Sequence, residues 1–248
     1  MNKRFAALLL LLLSTTMAFT LQKPKMKIYL VGDSTMSIKA VSAYPETGWG
    51  MPFTAFFDST VQVVNTAQNG RSTRSFIEEK RWQQIMDNLA AGDYVYVQFG
   101  HNDEIKEKKT YTTPDEFKTN LRRYVSDTRS KGAFPVLITP VARRRFDANG
   151  QIVDTHVPYA SYVMEIAKET NTPLIDLNKT SMALLQSFGV ENSKLLFNHL
   201  QPGEHPNYPK GKEDDTHFNE LGARKMAQLV LQEIKTLNLP VADKIVKQ

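Results

Sequence analysis

Residues 28–37 read IYLVGDSTMS, and this stretch decides the fold. A continuous apolar run ends at Gly32-Asp33-Ser34, the pattern of a strand covered on both faces and closed by a tight turn. Ser34 then sits at the carboxyl end of that strand. Such a serine either caps the next segment or is a nucleophile. No G-x-S-x-G surrounds it, so the elbow of the α/β-hydrolases is absent. A nucleophile here needs a base, an orienting carboxylate and oxyanion donors from elsewhere in the chain.

Four further apolar runs recur at wide spacing: Val61–Thr66, Tyr94–Phe99, Pro135–Thr139 and Pro173–Leu177, the first run being Lys27–Val31. Between them, helical spacing appears over Pro114–Lys131, Val157–Thr170 and Asn219–Leu237. Thr113 reads as an N-cap before Pro114, with Glu116 at the capping-box position and Gly132 as the stop. Alternating strands and helices predict a parallel sheet with helices on both faces. In such sheets the site lies beyond the carboxyl ends of the strands.

Two further strand ends and one segment near the C-terminus carry chemistry. In AQNGRS, Gly70 permits a positive φ and a backbone N–H turned into a cleft. In FGHND, Asn102 offers two neutral N–H donors suited to an oxyanion, while His101 and Asp103 read as groups that hold the loop. Near the C-terminus, KEDDTHFNELGA places Asp214 three residues before His217, within reach of its imidazole. That pair supplies a base at Nε2 and an orienter at Nδ1. Asp215 competes for the second role, but an offset of two faces away in helical geometry.

Taken together, VGDST, NGRS, GHND and DDTHFN appear in the order of the SGNH (GDSL) hydrolase blocks, and the chain resembles that superfamily from about Lys27 to Ile234. The segments GDSTM, TGWG, GRSTRSF, FGHND and RRRFDANGQIVDTH resemble its rhamnogalacturonan acetylesterase branch. The resemblance implies an α/β/α sandwich in three layers around a five-stranded parallel sheet. It also implies a serine esterase acting on an acetylated polysaccharide without a cofactor or metal. Ser34, His217 and Asp214 would be catalytic, and the N–H groups of Ser34 and Gly70 with the Asn102 side chain would form the oxyanion hole. Acetylated xylan is an alternative substrate, as are longer acyl chains in lysophospholipids or thioesters. The reading outside catalysis is an inactive carbohydrate-binding scaffold.

Substrate contacts are expected from Arg71, Arg143, Arg144, Arg145, Trp49 and His199, with Arg74 also near a strand end. Arginines suit uronate carboxylates, and an indole suits a sugar ring. Trp49 reads equally as packing beneath the loop around Gly48 and Gly50. His199 and His205, six residues apart without a matching carboxylate pair, make a poor zinc site. His156 carries no special expectation.

The 248 residues, 41% hydrophobic, suffice for one core. One domain is expected over 26–238, followed by a tail over 239–248. Met1–Ala18 has a signal-peptide pattern: Lys3 and Arg4, an apolar run from Phe5 to Leu13, then small residues, with cleavage between 18 and 20. The run is too short to span a membrane, which needs about 20 apolar residues. Export to a bacterial periplasm or medium fits a chain with no cysteine. The net charge of +5 falls to about +3 without Lys3 and Arg4. With no basic stripe, nucleic acid is not an expected partner. A monomer is the default.

Overall fold

The computed structural model describes residues 25–246; the signal-peptide expectation lies outside them. Five strands form one parallel sheet: β1 Met26–Gly32, β2 Val61–Asn65, β3 Tyr94–Gln98, β4 Phe134–Ile138 and β5 Leu174–Ile175. Their order is β2-β1-β3-β4-β5, so the chain winds outward in both directions from β1. Six helices matter for the site: α1 Thr73–Glu78, α2 Arg81–Asn88, α3 Pro114–Ser130, α4 Tyr159–Glu169, α5 Leu177–Asn192 and α6 Glu220–Thr236.

The period of two along the strands divides the core. Ile28 and Leu30 of β1 join Tyr94, Tyr96, Val136, Ile138 and Ile175 on one face, against Leu185 of α5 and Met226, Val230 and Ile234 of α6. Tyr29 and Val31 join Val95, Val97 and Leu137 on the other, against α1 to α4 through Phe76, Trp82, Phe117, Tyr124 and Ile166. The architecture is therefore the three-layer α/β/α sandwich.

Thr113 caps α3 by accepting from the Glu116 N–H at 3.3 Å. The reciprocal half of the expected capping box is not made; the Glu116 carboxylate instead faces Arg74 Nε at 3.9 Å. β5 is shorter than its apolar run, because Asp176 caps α5 by accepting from the Lys179 N–H. Phe146 bridges Ile152 across a turn that holds Asn149 and Gly150, a residue pair suited to hairpin turns.

The segment expected as a tail is packed onto the domain. Val241 is fully buried, Ile245 bridges Phe57, and the Val246 N–H donates to Phe56 O at 2.9 Å. Leu239 and Pro240 return the chain to the core face of the sheet, so packing continues past residue 238.

Candidate active site

Ser34 follows β1 in the tight turn expected. Its Oγ lies 2.9 Å from His217 Nε2, and His217 Nδ1 lies 2.9 Å from Asp214 Oδ2. The other Asp214 oxygen accepts the backbone N–H groups of Thr216 and His217, both at 2.9 Å. Burial pushes this carboxyl up, but His217 and the two N–H groups outweigh it and hold it well below the usual range. The imidazole is thus fixed on one nitrogen by an ionised carboxylate and open to the seryl hydroxyl on the other. This arrangement can move a proton from Ser34 to His217 without any further residue.

Asp215 faces the other way. It pairs with Arg144 Nη1 and His199 Nε2, each at 2.8 Å. A groove of about 760 Å³ opens there, with Lys194, Leu200, Lys210 and Lys212 along its wall. Lys212 Nζ lies 3.6 Å from Asp214, which connects the groove to the Asp–His pair.

The donors at the neighbouring strand ends are present. Gly70 has φ +75°, and neither its N–H nor that of Ser34 has an acceptor among the described residues. Asn102 Nδ2 donates to Arg71 O at 3.0 Å, and its Oδ1 accepts Lys108 Nζ at 2.8 Å. Lys108 fixes which end of the amide is which, and one N–H of Nδ2 remains for a ligand.

Beneath the serine turn lies a buried polar chain. Trp49 Nε1 donates to Gln98 Oε1 at 2.8 Å, Gln98 Nε2 to Thr35 Oγ1 at 2.7 Å, and Thr35 Oγ–H to Asp33 Oδ1 at 2.8 Å. Asp33 Oδ2 lies 3.4 Å from His101 Nδ1, an electrostatic contact rather than a well-formed hydrogen bond. Burial alone would raise the Asp33 carboxyl; His101 and the Thr35 donors hold it at about 2. Burial pushes His101 down to about 4, against the pull of Asp33.

Several expected substrate contacts have structural duties instead. Trp49 has no exposed surface and packs edge-on to Phe53, so it cannot stack on a sugar. The TGWG segment around it is a close approach: a Cβ at Gly48 would stand 2.1 Å from Ser37 O. Arg144 is buried and also donates to Ser193 Oγ and Val190 O. Arg143 is tied to Glu104 at 2.6 Å and Arg74 to Lys109 O. His199 is committed to Asp215 but lines the groove. Arg145 is exposed. Arg71 binds Glu79 and the Asn69 carbonyl.

His156 proves to have a role. It is fully buried, its ring centroid 4.4 Å from that of His101, with Nε2 facing Val141 O at 2.9 Å and Nδ1 facing Glu104 at 3.2 Å. Asp103 accepts from Thr73 N–H and Oγ–H, which confirms that it holds its loop. Nothing in the sequence singles out Lys39, Asn69 or Lys108, because a lysine or asparagine in a polar loop carries no spacing signal.

A profile of the GDSL-like lipase/acylhydrolase family matches residues 30–225. The chain belongs to that family. It is 43% identical over 229 residues to a rhamnogalacturonan acetylesterase of Bacillus subtilis strain 168, covering 92% of this chain and 97% of that protein. A probable rhamnogalacturonan acetylesterase of the same organism is 38% identical, covering 89% and 98%. Among solved structures, Bacillus subtilis YxiM superposes with a TM-score of 0.75 at 30% identity, covering 87% of this chain and 58% of that one. The acetylxylan esterase Axe2 of Geobacillus stearothermophilus superposes with a TM-score of 0.62 at 19% identity, covering 85% and 94%, which shows a common fold. Family and geometry agree on an ester hydrolase.

Proposed function

We propose that this family member removes acetyl groups from a plant cell-wall polysaccharide, with pectic rhamnogalacturonan as the substrate, through an acetyl-Ser34 intermediate. The observation that carries the reading is the Ser34–His217–Asp214 relay, with hydrogen bonds of 2.9 Å at both steps. The likeness to rhamnogalacturonan acetylesterases over most of the chain supports the substrate.

Ser34 Oγ attacks the acetyl carbonyl carbon while its proton passes to His217 Nε2. The negative charge that develops on the carbonyl oxygen is met by the N–H groups of Ser34 and Gly70 and by Asn102 Nδ2. Collapse breaks the C–O bond to the sugar, and the imidazolium returns its proton to the leaving alcohol. Water repeats the attack on acetyl-Ser34, with His217 again taking the proton, and acetate leaves. Asp214 stays ionised throughout and holds the imidazole tautomer. No step calls on a metal or cofactor.

Export to the periplasm or medium is part of the proposal, supported by the Met1–Ala18 pattern and by a polymeric substrate too large to enter a cell. A monomer without nucleic-acid partners completes it. Among the described residues, no helix is long and apolar enough to cross a membrane.

The test is acetate release from acetylated rhamnogalacturonan and acetylated xylan, wild type beside Ser34→Ala. Release by wild type alone, faster from rhamnogalacturonan, is expected. Activity retained by Ser34→Ala would remove the nucleophile assignment. Faster release from xylan, or activity confined to longer acyl esters, would change the substrate.

A further inference from the structure

Packing does little to hold Gly70. The residue is exposed at φ +75°, and beyond its two chain neighbours no atom lies within 4 Å of where a Cβ would stand. Yet its N–H must keep one direction if it is to meet an oxyanion. That N–H belongs to the same planar unit as the Asn69 carbonyl. Among the described residues the cis peptides are Tyr44-Pro45 and Val157-Pro158, so the Asn69-Gly70 bond is trans. In a trans unit the C=O and N–H point in opposite directions, and holding the oxygen aims the hydrogen.

The oxygen is held. Arg71 Nη1 donates to Asn69 O at 2.8 Å. The guanidinium is itself fixed by Glu79, whose two carboxylate oxygens lie 3.1 and 3.0 Å from Nε. The Asn69 side chain is secured from the serine loop, where its Oδ1 accepts Ser37 Oγ at 2.6 Å and Lys39 Nζ at 2.9 Å. Lys39 is 2% exposed in its side chain and paired with Glu46 at 2.7 Å, so this anchor is built into the interior. Beyond Gly70, the Arg71 carbonyl accepts Asn102 Nδ2 at 3.0 Å, tying one expected donor to the neighbour of another.

We propose that Arg71 is a positioning residue: backed by Glu79, it aims and polarises the Asn69–Gly70 peptide so that the Gly70 N–H is set before substrate arrives. The inference rests on the serine-esterase reading above and deepens it. A charged donor on a peptide oxygen draws electron density from the amide and strengthens its N–H as a donor. A donor used only when charge develops acts on the transition state, so its loss lowers kcat and leaves KM in place. Arg71 thereby leaves the set of residues expected to bind uronate carboxylates.

The experiment compares wild type, Arg71→Met, Arg71→Lys and Glu79→Gln on neutral p-nitrophenyl acetate and on acetylated rhamnogalacturonan. Rates are normalised to the active serine titrated with diethyl p-nitrophenyl phosphate. Arg71→Met is expected to lose about 10-fold in kcat on both substrates, less than the 10²–10³ for deleting a donor outright. KM and the position of the pH–rate profile stay fixed, Arg71→Lys recovers part of the loss, and Glu79→Gln falls between. An unchanged kcat on p-nitrophenyl acetate with a raised KM on the polymer would overturn the proposal and return Arg71 to substrate binding. A loss that disappears on normalisation would also overturn it, since the role would then be structural. Wild type inactive on both esters would instead overturn the esterase reading.

Discussion

Asp214 and Asp215 are adjacent in sequence and face unrelated partners. Asp214 takes His217 and two backbone N–H groups; Asp215 takes Arg144 and His199. Asp214→Asn keeps the shape but loses the charge that fixes the imidazole tautomer. Its kcat on p-nitrophenyl acetate should fall about 10³–10⁴-fold with Tm little changed. Asp215→Asn should do the reverse. It leaves the buried Arg144 without its counter-ion, and chemical denaturation should read a loss of about 1–2 kcal/mol, discounted because Asp215 is half exposed. Equal kcat losses in the two variants would refute this division. The Asp214 choice was legible because the D-x-x-H spacing is local, and local geometry follows from the chain. Trp49 and Arg144 were not, because residue type does not reveal which side chains turn inward. The sequence equally could not show that Lys39 reaches Asn69, thirty residues away.

The carboxyl ends of β1 and β3 each present a buried aspartate, and the two titrate in opposite directions. Asp33 is held at about 2 by His101 and Thr35. Burial pushes Asp103 up to about 7, against the donors of Thr73. A folded value below the unfolded one gives stability that is present above about 4 and is lost as pH falls toward 2. A folded value above the unfolded one gives the opposite sign: the folded state binds the extra proton, and stability is lost as pH rises from about 4 through 7. For Asp103 that swing reaches about 4 kcal/mol. Denaturant melts of wild type and Asp103→Asn should therefore differ in slope between pH 4 and 7, the variant being flatter; parallel curves would exclude an Asp103 proton. The elements themselves were legible where their patterns were simple. The apolar runs located all five strands, and the stripes of α3, α4 and α6 stood out. α1 is too short to show a period. In α5 the buried face includes Asn178 and Ser181, which bond Asp154 and Ala142 and break the apolar stripe.

At the scale of the molecule, the chain closes on itself. Residues 240–246 pack against the turn of Phe56 to Asp58, with Asp58 N–H donating to Lys244 O at 2.9 Å. Truncation after Asn238 removes the buried Val241 and should cost about 2 kcal/mol, or a Tm lower by about 4–8 °C. Acetate release per folded molecule should persist at 25 °C, since neither segment touches the Ser34–His217–Asp214 relay. An unchanged Tm would mean that the segment contributes nothing. The apolar stripe of α6 ends before residue 238, and one buried valine after a proline gives no periodic signal.

The division of the core by the sheet has an optical consequence. The chain has two tryptophans, and the sheet separates them: Trp49 lies in the layer of α5 and α6, Trp82 in the layer of α1 to α4. Each indole N–H is hydrogen-bonded, Trp49 to Gln98 and Trp82 to Asp127. Their fluorescence is thus a pair of native labels, one for each side of the sandwich. Replacing either indole with phenylalanine leaves a protein whose emission follows a single layer, and for Trp49 that layer is joined through Gln98 and Thr35 to the turn that carries Ser34.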